Sequence, residues 1–195
     1  MRKKLYIMRH GQTLFNEKHK IQGASDSPLT ELGIEQATMA KEYFDKEHVQ
    51  FQSLYSSTQE RASDTLEIIC PNRPYTRLKG LKEWNFGLFE AENEMLNPPH
   101  KEGETSYGDF FVAYGGESSV DVQKRMSKTL LNVMNTDDAE TILAVSHGGA
   151  MFMFIQDWLP IKSVQRIKFS NCCILEFEYE DGQFKFVDVI NPTEK

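Results

Sequence analysis

Residues 141–149, TILAVSHGG, carry an almost continuous apolar run straight into a His-Gly-Gly turn. A run of this kind without polar alternation predicts a strand that is buried on both faces of a sheet. The residues that follow are mainly apolar to about Leu159 and predict a helix. A buried strand, a glycine turn and a helix in this order are typical of a parallel α/β sheet.

The N-terminus repeats this order. Residues 3–8, KKLYIM, form a β-prone run that ends abruptly at residues 9–11, RHG, so they predict a first strand that leads into a loop. Thr30 is a residue type that caps helices, and apolar side chains recur after it at helical spacing to about residue 46. This pattern predicts the first long helix.

The middle of the chain predicts another strand and helix. Residues 49–57, VQFQSLYSS, predict the strand, and Ser57 and Glu60 have the spacing of a capping box that opens a helix to about Ile69. Arg61 then lies in the first helical turn. Free N–H groups and the helix dipole favour an anion there, and a guanidinium adds a bidentate grip on oxygen.

The C-terminal part completes the predicted fold. Residues 119–135 predict a helix whose apolar stripe includes Val120 and Met126, and residues 173–189 alternate on both sides of Asp181-Gly182, a strong hairpin signal. We therefore predict an α/β fold, a three-layer α/β/α sandwich whose central sheet is mostly parallel and has an antiparallel edge strand.

We expect one domain, residues 1–195, because a core of this size buries enough apolar surface without disulfides or metals. Residues 84–117 contain paired prolines, several glycines and many acids without a sustained period. They predict loops with short helical pieces. We expect this segment to be a lid that faces the substrate and determines specificity.

Composition limits the classes of partner. The chain has 22 Lys and Arg against 29 Asp and Glu, a net charge of −7, which argues against a nucleic-acid surface. A small anionic substrate would need a local cluster of cations. No apolar run is long enough for a signal sequence or a membrane span. The three cysteines and the histidines outside the motifs have no metal or disulfide spacing, so we expect a cytoplasmic protein with reduced thiols and no metal.

Two histidines follow predicted strands, and the carboxyl ends of strands collect ligands in an open α/β sheet. His10 and His147 could therefore meet. A neutral imidazole can attack phosphorus when its other nitrogen is held as N–H by an acceptor such as a backbone carbonyl, and His10 suits this task.

A transferred phosphoryl group also needs fixed cationic donors where other enzymes use Mg²⁺, and Arg9, Arg61 and His147 could supply them. Glu83 is a candidate for the acid that protonates the leaving oxygen, for which its pKa would have to be raised. Each residue alone has an ordinary explanation, a satisfied core histidine or an exposed ion pair. Their combination is what favours chemistry.

Five ordered blocks resemble the histidine phosphatase superfamily, the phosphoglycerate mutase-like proteins. They begin with LYIMRHGQTLFNEKHKIQGASDSPLTELGIEQA at residues 5–37, which carries the Arg-His-Gly motif. The other four are SLYSSTQERASDT, LKEWNFGLFE, GGESSVDVQKR and AVSHGG, at residues 53–65, 81–90, 115–125 and 144–149. A match of five blocks in order is far more specific than any single motif.

The resemblance implies a role for each matching residue. His10 would become phosphohistidine, Arg9, Arg61 and His147 would bind the phosphoryl oxygens, and Glu83 would act as acid and later as base. Positions near the phosphate or substrate would be Gly11, Thr13, Asn16, Gln22, Gly23 and Gly148. No metal or other cofactor is implied.

The resemblance leaves the reaction open. Residues 84–99 resemble small bacterial phosphatases of the superfamily. We expect the chain to lack the longer insertion and the C-terminal tail of cofactor-dependent phosphoglycerate mutases, so hydrolysis of a small phosphomonoester, with inorganic phosphate as product, is the favoured reaction. The alternative is a mutase that requires 2,3-bisphosphoglycerate. A phospholigand-binding protein without turnover is a third hypothesis, but pure binding needs neither His10 nor Glu83. Neither the substrate nor the oligomeric state can be predicted.

Overall fold

Six strands form one mixed sheet in the computed structural model of the protein, which describes residues 2–99 and 105–194. Residues 100–104 of the predicted lid, which include His100, lie outside the described residues. The spatial order of the strands is β3-β2-β4-β1-β5-β6. Their bounds are β1 Lys3–Arg9, β2 Ser53–Ser57, β3 Thr76–Leu78, β4 Thr141–Ser146, β5 Ile174–Glu180 and β6 Gln183–Ile190.

The four strands from β3 to β1 are parallel to one another, and β5 is antiparallel to both of its neighbours. The predicted hairpin, β5 and β6, forms one edge of the sheet. Its outer strand is β6, so β5, the strand that is antiparallel to both neighbours, lies one place inside the edge. Asp181 and Gly182 form the hairpin turn with φ of 50° and 80°, the left-handed conformation that a two-residue turn of this kind requires.

Helices cover both faces of this sheet. They are α1 Leu14–Glu17, α2 Glu31–Lys46, α3 Glu60–Ile69, α4 Ser119–Thr136, α5 Gly148–Ile155 and α6 Ile161–Val164. One buried apolar cluster joins α2 and α3 to one face, and a second cluster joins α4 and α5 to the other. The predicted three-layer α/β fold is therefore confirmed.

Two local predictions are wrong. Ser57 accepts a hydrogen bond from the backbone N–H of Gln59, not of Glu60, so no capping box opens α3. The N–H of Glu60 donates instead to Asp26, which is remote in sequence. Val120 is 49% exposed because it lies on the side of α4 opposite to Val122, which begins the buried stripe.

The described part of residues 84–117 contains short 3₁₀ helices, Gly87–Phe89, Glu94–Leu96 and Phe110–Tyr114, as predicted. Aromatic rings from this segment, those of Phe86, Phe89 and Tyr107, pack around the buried Phe111. A lid function and a single domain for residues 1–195 stay predictions. In the parts of the chain that the structure describes, no helix combines the length and apolar character that crossing a membrane requires.

Candidate active site

The carboxyl ends of β1 and β4 bring two histidines together. Arg9 pairs with Ser146 in the parallel ladder, so His10 and His147 leave neighbouring strands at the same level. Their ring centroids lie 5.2 Å apart, and both side chains are buried, with 4% and 0% of their surface exposed. The predicted meeting of the two imidazoles is confirmed.

Hydrogen bonds define the tautomer of His10. Its Nδ1 lies 2.7 Å from the carbonyl oxygen of Gly11, to which it donates, and its Nε2 accepts from the Nε of Arg61 at 3.3 Å. Burial, followed by the charges of Arg61 and Arg9, holds the pKa of His10 well below its usual value. His10 is therefore a neutral imidazole that carries its lone pair on Nε2.

Gly11 allows this arrangement because a Cβ at that position would lie 2.4 Å from the carbonyl oxygen of Gly33. The backbone N–H of Gly11 donates to the hydroxyl of Thr65 on α3 at 3.0 Å. The loop after β1 is thus held against α2 and α3.

Arg61 lies in the first turn of α3, as predicted, with its side chain fully buried. Its Nη1 donates to the carbonyl of Ser25 and to Oδ1 of Asp26, both at 2.9 Å, and its Nη2 donates to the carbonyl of Gly23 at 3.0 Å. Burial lowers the pKa of Arg61, and Asp26 opposes that shift. The guanidinium is therefore locked in place beside Nε2 of His10.

Several buried side-chain nitrogens have no hydrogen-bond partner among the described residues. They include the Nε of Arg9, both ring nitrogens of His147, of which one carries a proton in the neutral ring, and the Nε2 of Gln22. Arg9 also donates through Nη1 to the carbonyl of Phe169 at 2.6 Å. Burial lowers the pKa values of Arg9 and of His147, the latter well below its usual value. Because buried polar groups are normally paired, the N–H groups among these nitrogens are available to bind an anion.

The carboxylate of Glu83 lies at the N-terminus of α5, the helix that begins immediately after His147. It accepts backbone N–H bonds from Trp84, Gly149 and Ala150 at 2.8 to 2.9 Å. A Cβ on Gly149 would lie 2.8 Å from Oε1 of Glu83, so glycine allows the close approach. Glu83 is 9% exposed.

The predicted substrate-binding residues fall into two groups. The carbonyl of Gly23 binds Arg61, and Gly148 lies against Arg9, from whose Nε a Cβ would be 3.3 Å away. Thr13 caps α1, and its hydroxyl donates to Oε1 of Gln22 at 2.6 Å. Asn16 completes the capping box of α1, so local structure already engages the hydroxyl of Thr13 and the amide oxygen of Asn16.

Sequence reasoning missed residues that hold the site from a distance. The carboxylate of Glu90 accepts N–H bonds from Gly23, Ala24 and Ser25. Asn171 donates to the carbonyl of His10 at 3.1 Å. Glu90 stands in the block LKEWNFGLFE, so the resemblance contained a signal for it, but Asn171 lies outside all five blocks.

No cluster of three or more His, Cys, Asp or Glu side chains that could hold a metal ion occurs within residues 2–99 and 105–194.

Known proteins resemble this chain in sequence and in architecture. The family model of the histidine phosphatase superfamily (branch 1) matches residues 5–192. A protein of Yersinia pestis (strain Pestoides F), named probable phosphoglycerate mutase GpmB, is 28% identical over 186 residues, which cover 91% of this chain and 86% of the relative.

Two solved structures illustrate the shared fold. Phosphoglycerate mutase from Bacillus anthracis str. Sterne superimposes with a TM-score of 0.81 at 24% identity, covering 95% of this chain and 92% of that one. Phosphoserine phosphatase from Entamoeba histolytica, solved in complex with phosphoserine, gives a TM-score of 0.78 at 26% identity and covers 98% of both chains. The match over almost the entire length, with the two imidazoles and the buried guanidinium in one place, shows that this chain belongs to the histidine phosphatase superfamily.

Proposed function

We propose that this protein is a phosphatase that hydrolyses small phosphomonoesters through a phosphohistidine at His10. The observation that supports the proposal is which nitrogen of the His10 ring carries the proton and which carries the lone pair. Its Nδ1 donates to the carbonyl of Gly11, and its Nε2 keeps a lone pair beside the Arg61 guanidinium. A neutral, oriented imidazole next to a fixed cation is what a nucleophile for a phosphoryl dianion requires.

The first step forms a bond from Nε2 of His10 to phosphorus and breaks the ester P–O bond. Arg61 and the unpartnered donors of Arg9 and His147 bind the equatorial oxygens. Glu83 protonates the departing alkoxide, which leaves as the alcohol.

Hydrolysis of the phosphohistidine then restores the enzyme. Glu83, now a carboxylate, takes a proton from a water molecule that attacks phosphorus. The N–P bond breaks, its electron pair returns to Nε2 of His10, and inorganic phosphate is released. Three backbone N–H groups, including two from α5, hold the carboxylate while it acts as base.

The similarity to the Entamoeba histolytica phosphatase, which binds phosphoserine, supports a small phosphorylated metabolite as substrate. A phosphate-release screen over sugar phosphates, phosphoglycerates, nucleotides and phosphoamino acids tests the proposal. We expect release from several esters without priming by 2,3-bisphosphoglycerate. Failure to release phosphate from any ester, with no phosphohistidine in the quenched enzyme, would refute it.

A mutase is the second candidate, favoured by the name of the Yersinia pestis relative. In that reaction the phosphoryl group returns from His10 to another hydroxyl of a retained substrate, and the enzyme must start phosphorylated. The same screen separates the candidates, because isomerisation of phosphoglycerate that depends on 2,3-bisphosphoglycerate would replace the phosphatase proposal with the mutase.

A further inference from the structure

The buried amide of Gln59 joins two segments of the site. Gln59 is the residue before α3 and only 5% exposed, but its side chain does not cap that helix. Its Oε1 accepts the backbone N–H of Glu83 at 2.8 Å, and its Nε2 donates to the carbonyl oxygen of Gly23. One side chain therefore bonds to the main chain on both sides of the site.

Each end of this amide contacts a residue of the proposed chemistry. The carbonyl of Gly23 also accepts from Nη2 of Arg61 at 3.0 Å, so the loop that Gln59 holds is the loop that orients the guanidinium. At the other end, Glu83 carries the proposed acid, and Arg125 binds its carbonyl at 2.8 Å. The main chain of Glu83 is thus held from two directions.

We propose that Gln59 is a positioning residue that fixes the acid of Glu83 relative to the phosphoryl site. This inference rests on the proposed function, in which Glu83 protonates the leaving oxygen. The task requires a donor and an acceptor on one side chain, which glutamine provides and an apolar residue of similar size does not. Displacement of a catalytic group by about 1 Å can slow a reaction by about 100-fold.

The test compares two esters in the Gln59→Met variant. An alkyl phosphate has a poor leaving group that needs the acid, whereas p-nitrophenyl phosphate has an activated leaving group that needs it little. We expect kcat for the alkyl ester to fall about 10- to 100-fold, with a much smaller change for the aryl ester and in either KM. Equal slowing of both esters would overturn the inference.

A double-mutant cycle separates positioning from a general disturbance. If Gln59 acts through Glu83, adding Gln59→Met to Glu83→Gln should cause no further selective loss with the alkyl ester. Independent, additive losses would overturn the inference. If Glu83→Gln alone slows both esters equally, the acid assignment in the proposed function fails instead.

Gln52→Met is a matched control. Gln52 also accepts backbone N–H groups, those of Glu140 and Thr141, but at the opposite end of β4 from the site. The ratio of the two kcat values should stay at the wild-type level in this variant, and an equal change in the control would overturn the inference.

Circular dichroism and thermal unfolding check that the variants are folded. If Gln59→Met does not fold, Gln59→Asn provides the second variant, because its amide is one methylene shorter and cannot reach the N–H of Glu83 and the carbonyl of Gly23 together. We expect its ratio of alkyl to aryl kcat to fall below that of the wild type. A ratio at the wild-type level would overturn the inference.

Discussion

At the scale of single residues, deep burial and two guanidinium groups keep His10 neutral. Little water reaches the ring to stabilise a positive charge, and a third positive charge beside Arg61 and Arg9 would be repelled. His147 is subject to the same causes, burial first and then the charge of Arg61. A bound phosphoryl dianion would raise both pKa values, because opposite charge favours the protonated imidazole.

Replacing His10 by Ala should abolish turnover, because it removes the proposed nucleophile. We expect a loss of at least about 1,000-fold in kcat, since removing a covalent nucleophile leaves only binding and electrostatic stabilisation. Phosphate release and an acid-quench assay for labelled phosphohistidine measure it. His48→Asn is the control, because His48 is exposed and asparagine tolerates its φ of 54°. Retained turnover in His10→Ala would contradict the mechanism.

Folding stability should fall as the pH drops below the pKa that histidine has in the unfolded chain, about 6.5. The folded-state pKa values of His10 and His147 lie well below it, so the unfolded chain takes up protons first and the free energy of unfolding decreases. With two such groups, the free energy of unfolding changes by at most about 2.7 kcal/mol per pH unit.

Urea unfolding at several pH values between about 7.5 and 5.5 measures this slope. His147→Asn should reduce it to roughly half, since one of the two titrating groups is gone. A slope that is flat in the wild-type protein, or unchanged in the variant, would contradict the assignment.

At the scale of secondary structure elements, the N-terminus of α5 serves as the support of the proposed acid. Gly149→Ala should favour the helix by about 0.5–1 kcal/mol through propensity. The new Cβ would nevertheless lie 2.8 Å from Oε1 of Glu83, so the carboxylate must move. We expect kcat for an alkyl phosphate to fall by about 10-fold or more without loss of thermal stability, measured by steady-state kinetics and thermal unfolding. Unchanged kinetics would show that the position of Glu83 is not critical.

The longer elements of the fold could be predicted because each has a local cause in its own sequence, whereas the short elements α1, β3 and α6 were not predicted. The apolar run of β4, the cap of α2 and the turn at Asp181-Gly182 all fall where predicted. The start of α3 was predicted from a local capping box, but Asp26, a residue from another loop, binds the helix there. The supporting contacts of Gln59 and Glu90 could not be predicted for the same reason, since they join segments that are distant in sequence.

At the scale of the whole molecule, the net charge of −7 contrasts with the two guanidinium groups at the site. The proposed mechanism neutralises the phosphoryl group with protein side chains alone, so EDTA should leave the rate of phosphate release unchanged. Assays with EDTA, and with added Mg²⁺ after removal of EDTA, measure this. Activity that EDTA removes and Mg²⁺ restores would contradict the mechanism.

The ladder between β1 and β4 also limits when activity can appear during synthesis. His10 is translated before β4, its partner imidazole follows β4, and the register of Arg9 with Ser146 is what aligns the two. Pairings between such distant segments form late, because the loop between them must first be ordered. A nascent chain that ends before β4 therefore carries His10 without its partner imidazole, so the proposed reaction requires β4 to be translated and paired first.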